Sequence, residues 1–323
     1  MMQLNQKFKR AIVTGGAGFI GSHLVDELLQ QGLEVISIDD YSGGKHENLE
    51  HLKDHPNLTE VTCDVTDFDA LSPYFDGVDV VFHQACSKNT VCMKNPARDL
   101  AVNAEGTLNM LHQAKAHGVK KFVHASTGSV YGEPFLFPSN ESHPLNPVSY
   151  YGVSKLCGEK YVRLFSDLYG MDTVILRYYH VFGPRQEYSD VGGVVSIFGR
   201  RAVQGQPLII YGDGTQLRSF TYVHDVVRIN LLAAMTDRIS GEAYNCASGV
   251  KVTIQQLAEA VLKYFCREDL EIQYQDWKPG DIKQFDVDNS KLKALGFEFY
   301  YDFEAGLHKT LDWSKSFFSS TIN

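Results

Sequence analysis

The chain has 323 residues, of which 44% are hydrophobic and 21% charged, and a formal net charge of -9. That length supports one large core carrying a smaller lobe, because single cores stop growing at roughly 250–300 residues. The acidic balance and dispersed basic residues exclude nucleic acid as the main partner, since phosphate-backbone binding needs a concentrated basic face.

The N-terminal segment carries no apolar run of about 7–15 residues with a cleavage site, and no stretch of about 18 apolar residues occurs anywhere. A cytoplasmic protein that stays out of the membrane is therefore expected. The six cysteines lack C-x-x-C spacing and the twelve histidines contain no H-E-x-x-H, so reduced thiols and no metal site are expected.

Residues 10–125 alternate short β-branched runs with longer amphipathic stretches, from AIVTGG through FIGSHLVDELLQQG, VISIDD, LTEVTCDV and VDVVFHQA to KKFVHAST. This order predicts βαβ units in a parallel sheet of an α/β fold. Ligands bind beyond the carboxyl ends of such strands, so Thr14, Asp39, Asp64, His83 and Thr127 should gather at one site. From about residue 180 the rhythm breaks into Gly-rich and aromatic segments suited to a substrate lobe. Helical periodicity returns at 253–264 and 302–315.

The segment Thr14 to Gly21 follows an apolar strand and opens a helix. Gly15, Gly18, Phe19, Ile20 and Gly21 therefore sit where backbone N–H groups can face a pyrophosphate, as in a Rossmann-type doubly wound sheet. Asp39, ending VISIDD, is placed to bind a ribose 2′-hydroxyl and would repel a 2′-phosphate, which favours NAD. Asp64 and Val65 end the third strand and can meet the adenine, with a helix cap at Asp64 as the alternative. Ala85 follows the fourth strand and is counted with the cofactor-binding residues.

Tyr151 and Lys155 are four residues apart in YYGVSKLCGEKYVRLFSDLYG, which reads as a long helix, so both side chains share one face. An ammonium and a cationic nicotinamide near a phenol can turn it into a base. The spacing alone fits an ordinary helix aromatic and a surface lysine better than a catalytic pair. The upstream segment His124 to Gly132 adds hydroxyls at a strand end.

These motifs resemble the extended short-chain dehydrogenase/reductase family, in its NAD-dependent nucleotide-sugar epimerase and dehydratase branch. The resemblance covers nearly the whole chain: T-G-G-A-G-F-I-G at 14–21, V-Y-G at 130–132, Y-G-V-S-K at 151–155, L-R-Y-Y-H-V-F-G-P-R at 176–185 and G-D-G-T-Q-L-R-S-F at 212–220. It implies an NAD-binding domain over 1–180, joined by a segment at about 212–245 that crosses back. Residues 181–323 then form mainly a nucleotide-sugar lobe.

By the same resemblance Tyr151 is the base, Lys155 the cation that holds the cofactor ribose and lowers the tyrosine pKa, and Thr127 the catalytic hydroxyl. Asn103 and Tyr178 belong beside the cofactor. Arg218 and Lys278 clamp the substrate diphosphate, while Ser129, His180 and Phe285 line the sugar side. Lys88 is a candidate for the sugar or its carboxylate, with a half-exposed loop lysine as the alternative; Phe285 has a core residue as its alternative. His180 replaces the usual Asn, Ser219 the usual Asp, and Lys278 the usual guanidinium.

Dehydratases of the family carry acids directly after the hydroxyl residue, and its decarboxylases tend to keep a glutamate there. Here Gly128 and Ser129 follow Thr127, which points to C4 epimerisation of a UDP-hexose or UDP-hexuronate. The resemblance also implies a homodimer through helices at 97–117 and 150–170.

Overall fold

The computed structural model describes residues 3–87, 92–190, 192–277 and 283–319. The chain divides into two compact units. The first comprises Met1–Gly132, Pro144–Tyr178 and Val227–Tyr244, and the second Glu133–His143, Tyr179–Val226 and Asn245–Asn323.

In the first unit the apolar runs become strands β1 (Arg10–Thr14), β2 (Glu34–Asp39), β3 (Leu58–Thr62), β4 (Val80–His83), β5 (Lys121–Thr127) and β6 (Thr173–Tyr178). They lie in the spatial order β6-β5-β4-β1-β2-β3, with Glu242–Cys246 as the further edge strand beside β6. The pairings from β3 across to β6 are all parallel. The order reverses between β1 and β4, the switch point at which open α/β sheets bind ligands. The predicted Rossmann-type α/β class is the observed one.

Both faces of the sheet are covered, so its strands read as nearly continuous apolar runs. Ile12, Ile38, Val81, Phe122 and Ile175 pack with Met110 and Leu111 of one helix and Val162 and Phe165 of another in a single core cluster. Each such burial contributes on the order of 1.5–3 kcal/mol. The helix Tyr150–Tyr169 starts at Ser149, whose hydroxyl accepts from the Gly152 N–H, and stops at Gly170 in the left-handed region.

Two glycines of the first turn are required by geometry. Gly15 sits at φ +65° with its N–H donating to the Ile38 carbonyl at 2.7 Å. A Cβ on Gly21 would lie 2.0 Å from the Gly15 carbonyl oxygen.

The second unit is built from short paired segments. Leu208–Tyr211 runs parallel to Ile272–Gln275, Val181–Phe182 parallel to Thr221–Tyr222, and Leu217–Arg218 antiparallel to Val252–Thr253. Helices Val194–Val203, Ile254–Tyr264 and Phe303–Ser319 accompany them. Unit boundaries differ from the expected ones. The segment returning to the first unit is Val227–Tyr244 rather than 212–245, because Leu217–Arg218 and Thr221–Tyr222 pair with strands of the second unit. Glu133–His143 also joins the second unit, where Ser139 bridges Val287.

Gly21→Ala should cost about 1–3 kcal/mol through forced backbone displacement. Thermal melting is expected to show a Tm lowered by several degrees, and an unchanged Tm would mean that the turn relaxes freely.

Candidate active site

The glycine turn carries the cofactor candidates. Gly18 precedes the helix Phe19–Gln30 in extended conformation and donates to the Gly15 carbonyl at 3.0 Å. The Asp39 carboxylate accepts from the N–H groups of Ala17 at 3.0 Å and Tyr41 at 2.9 Å. Burial raises its pKa, against the lowering effect of those two donors. Ala85 donates its N–H to Thr14 Oγ1 at 3.1 Å, and so lies against the turn.

Asp64 accepts from Thr66 N–H at 2.9 Å and Arg98 at 2.6 Å, and Arg98 also donates to Asp40 at 3.0 Å. Burial raises the Asp64 pKa, but these donors overcome it and hold the carboxyl below its ordinary range. Asp64 is not a helix cap: Asp67 caps Phe68–Leu71 by accepting from Ala70 N–H. Val65 is a core residue of the cluster, and its carbonyl accepts from Asn109 at 3.2 Å.

Thr127 ends β5, and its Oγ1 accepts the Ser129 N–H at 3.1 Å and donates to Ser129 Oγ at 3.2 Å. It lies near enough to the Tyr151 phenol to favour its ionised form. Gly152 follows with no room for a side chain, since a Cβ there would lie 2.7 Å from the Ser129 carbonyl oxygen. Lys155, one turn on, is 1% exposed.

Burial lifts the Tyr151 pKa well above its ordinary value; Asp99 adds to this, as do Cys86 and Cys92 when ionised, and Thr127 opposes it. The lowered tyrosine pKa expected from Lys155 is therefore not a property of these residues by themselves, because desolvation of the phenolate dominates. Lys155 is pulled below its ordinary value by burial, against Cys86, Glu159 and Asp99.

Asn103 is fully buried in the π-helical turn Ala101–Glu105. Its Nδ2 donates to Asp99 Oδ1 at 3.1 Å and to Ser154 Oγ at 2.9 Å, and its Oδ1 accepts the Ser87 N–H at 2.9 Å. Turns of this kind interrupt α-helices frequently at functional sites. Tyr178 places its hydroxyl against Asn230 at 3.0 Å and Gln84 at 3.2 Å.

A second group went unread in the sequence. Arg177 of β6 donates twice to Glu159, at 3.0 and 2.8 Å, and once to the Tyr131 hydroxyl at 2.7 Å. The Ser126 hydroxyl donates to the same Glu159 at 2.5 Å. The available signal was the spacing Tyr151, Lys155, Glu159, which continues one helix face by a further four residues.

His83 bonds Thr14 at 2.7 Å and Thr107 at 3.1 Å, and burial, aided by Lys155, depresses its pKa to about 3. His124 stacks 5.5 Å from it, and both His124 ring nitrogens are buried with no hydrogen-bond partner among the described residues.

In the second unit, Arg218 is 7% exposed and lies 5.5 Å over the Phe285 ring. His180 stands edge-on to Phe285 at 4.8 Å in a left-handed conformation, φ +35°. Burial, with Arg218 nearby, depresses its pKa to about 3. Phe285 is itself a core aromatic, packed against Tyr179 as well. Lys88 and Lys278 lie outside the described residues. Among those residues no group of three His, Cys, Asp or Glu side chains could hold a metal ion, and no helix is long and apolar enough to cross a membrane.

Residues 11–247 match the model of the NAD dependent epimerase/dehydratase family. The chain belongs to that family. It is 33% identical over 311 residues to the UDP-glucose 4-epimerase of Mycolicibacterium smegmatis, covering 95% of this chain and 99% of the relative. It is 38% identical over 306 residues to UDP-glucuronic acid decarboxylase 6 of Arabidopsis thaliana, covering 91% and 86%. The crystal structure of Thermotoga maritima UDP-glucose 4-epimerase with UDP-glucose superposes with a TM-score of 0.90 at 36% identity, covering 97% of this chain and 100% of that one. The family is one of NAD-dependent enzymes, and NAD is the cofactor.

Glu159→Gln leaves Arg177 buried without its counter-charge and should cost about 3–5 kcal/mol; denaturant unfolding measures it, and a loss under about 1 kcal/mol would rule out this role. His124 and His83 are neutral when folded and protonate near 6.5 when unfolded. Stability is thus full above pH 6.5 and declines as pH falls toward their depressed folded values. His124→Phe should flatten this decline in Tm between pH 6.5 and 4.5, whereas an unaltered slope would show that His124 does not contribute.

Proposed function

We propose that the protein interconverts the C4 epimers of a UDP-hexose or UDP-hexuronate by transient oxidation. The observation that carries this reading is the sequence Thr127-Gly128-Ser129 beside Tyr151, where the family's dehydratases usually carry acids and its decarboxylases tend to keep a glutamate. NAD, when bound, supplies the hydride acceptor and donor.

The residues then divide the work simply. Tyr151, as phenolate, accepts the C4 hydroxyl proton while the hydride leaves C4, and Thr127 orients that hydroxyl. Lys155 holds the cofactor ribose and stabilises the phenolate as an ammonium. After the 4-keto sugar turns over, Tyr151 returns its proton to the oxygen as hydride comes back to the opposite face. No acid, base or metal beyond these groups is required. Arg218 and Lys278 hold the diphosphate of the substrate.

Tyr151 starts as a neutral phenol, because burial favours that form. The cationic cofactor ring and Lys155 must together supply the stabilisation; bringing a phenol from about 10 to about 7 takes roughly 4 kcal/mol. The relationship to decarboxylases makes substrate assignment an experimental matter. Products formed from UDP-glucose, UDP-glucuronate, UDP-N-acetylglucosamine and dTDP-glucose can be followed by NMR. Galacto-configured product from UDP-glucose or UDP-glucuronate is expected; CO₂ release or a 4-keto-6-deoxy sugar would overturn the reading. Tyr151→Phe should lower kcat by at least about 100-fold.

We also infer a homodimer in a cytoplasmic setting. Tyr150, Val153, Leu164 and Leu168 are exposed on one face of Tyr150–Tyr169, at spacings that repeat with the helix. A second copy of this helix is the occupant that such a face suits. Light scattering should give twice 36.2 kDa, and Leu164→Glu should halve the mass. A monomeric parent protein would reject the assignment.

A further inference from the structure

Asp99 is 1% exposed, yet among the described residues both of its direct side-chain hydrogen-bond partners are neutral. Its Oδ2 accepts from Ser154 Oγ at 2.6 Å and its Oδ1 from Asn103 Nδ2 at 3.1 Å. The Ser154 hydroxyl has one proton to give. At 2.6 Å from Asp99 and 3.1 Å from the Tyr151 carbonyl, it is committed to the carboxylate. A buried carboxylate with only neutral donors is costly unless an opposite charge lies near.

Ser154 stands between Tyr151 and Lys155 in the helix, and Lys155 is equally buried at 1%. Other groups near this lysine are poor counter-charges. Glu159 already carries two hydrogen bonds from Arg177. Cys86 is an exposed thiol, negative only as thiolate, and His83 and His124 are neutral. Cys92, near Tyr151, is raised by burial and so is also neutral.

We propose that Asp99 is the counter-charge of Lys155, acting through the Ser154–Asn103 hydrogen-bond frame as a positioning residue that keeps the lysine an ammonium inside the site. The electrostatics agree, since Asp99 opposes the effect of burial on Lys155 and adds to the raised value of Tyr151. Asp99 thereby keeps Lys155 an ammonium, the form that stabilises the Tyr151 phenolate when it accepts the C4 hydroxyl proton. The proposal rests on Tyr151 and Lys155 being the catalytic pair, so one of its tests is independent of turnover.

The turnover test compares kcat/KM against pH for the NAD-loaded enzyme, Asp99→Asn and Ser154→Ala. Asp99→Asn should move both limbs to lower pH by roughly one unit: the phenol ionises more easily and the ammonium is lost sooner. Ser154→Ala retains the charge, so its rate should fall with the limbs in place. Limbs that stay put in Asp99→Asn would overturn the proposal.

The second test measures Tm for Lys155→Met with and without Asp99→Asn. Removing the lysine strands the carboxylate, so the double variant should melt several degrees above Lys155→Met even if Asp99→Asn alone folds poorly. A double variant no more stable than Lys155→Met would overturn the counter-charge, whatever reaction the enzyme catalyses.

Discussion

The paired hydrogen bonds from Arg177 to Glu159 tie β6 to the helix whose two preceding turns carry Lys155 and Tyr151. Ser126 of β5 donates to the same carboxylate one residue before Thr127. A single buried ion pair thus couples the strand bearing Thr127, its neighbouring strand and the helix of the proposed catalytic pair. Such a pair adds little net stability over well-packed apolar residues. Its value lies in geometry, because its planar, two-point contact fixes the rotation of the helix against the sheet.

Within that frame, burial controls the chemistry. Desolvation raises the Tyr151 phenol and lowers the Lys155 ammonium, both toward neutrality. The proposed reaction requires the opposite, a phenolate beside a cation. The protein supplies part of the correction through fixed groups such as Thr127, and the rest falls to the charge that arrives with the cofactor. A neutral phenol before binding also leaves the base inactive until the site is complete.

Much of this was readable from residues alone. Strand, glycine turn, helix and terminal acid follow one another at short range, so the Gly15–Gly21 turn and Asp39 stand out in the sequence. Tyr151 and Lys155 were visible as a spacing and gained meaning from Thr127. Arg177 and Glu159 were not visible, because their partnership joins a strand to a helix 18 residues earlier. Asp99 was hidden for the same reason: its link to Ser154 spans 55 residues. The return of Val227–Tyr244 to the first unit was misplaced because two-residue strands carry too little periodicity to reveal their partners. The raised Tyr151 pKa of the chain by itself follows from burial, a quantity that spacing does not report.

The central claim is that C4 is oxidised and reduced within one site, with its own hydrogen returned. UDP-glucose deuterated at C4, incubated with the NAD-loaded enzyme in ordinary water, tests this directly. Transient oxidation predicts UDP-galactose that retains deuterium at C4, with no net consumption of NAD. Product carrying solvent hydrogen at C4 would contradict the account, because it would mean that the carbon was inverted by exchange with water.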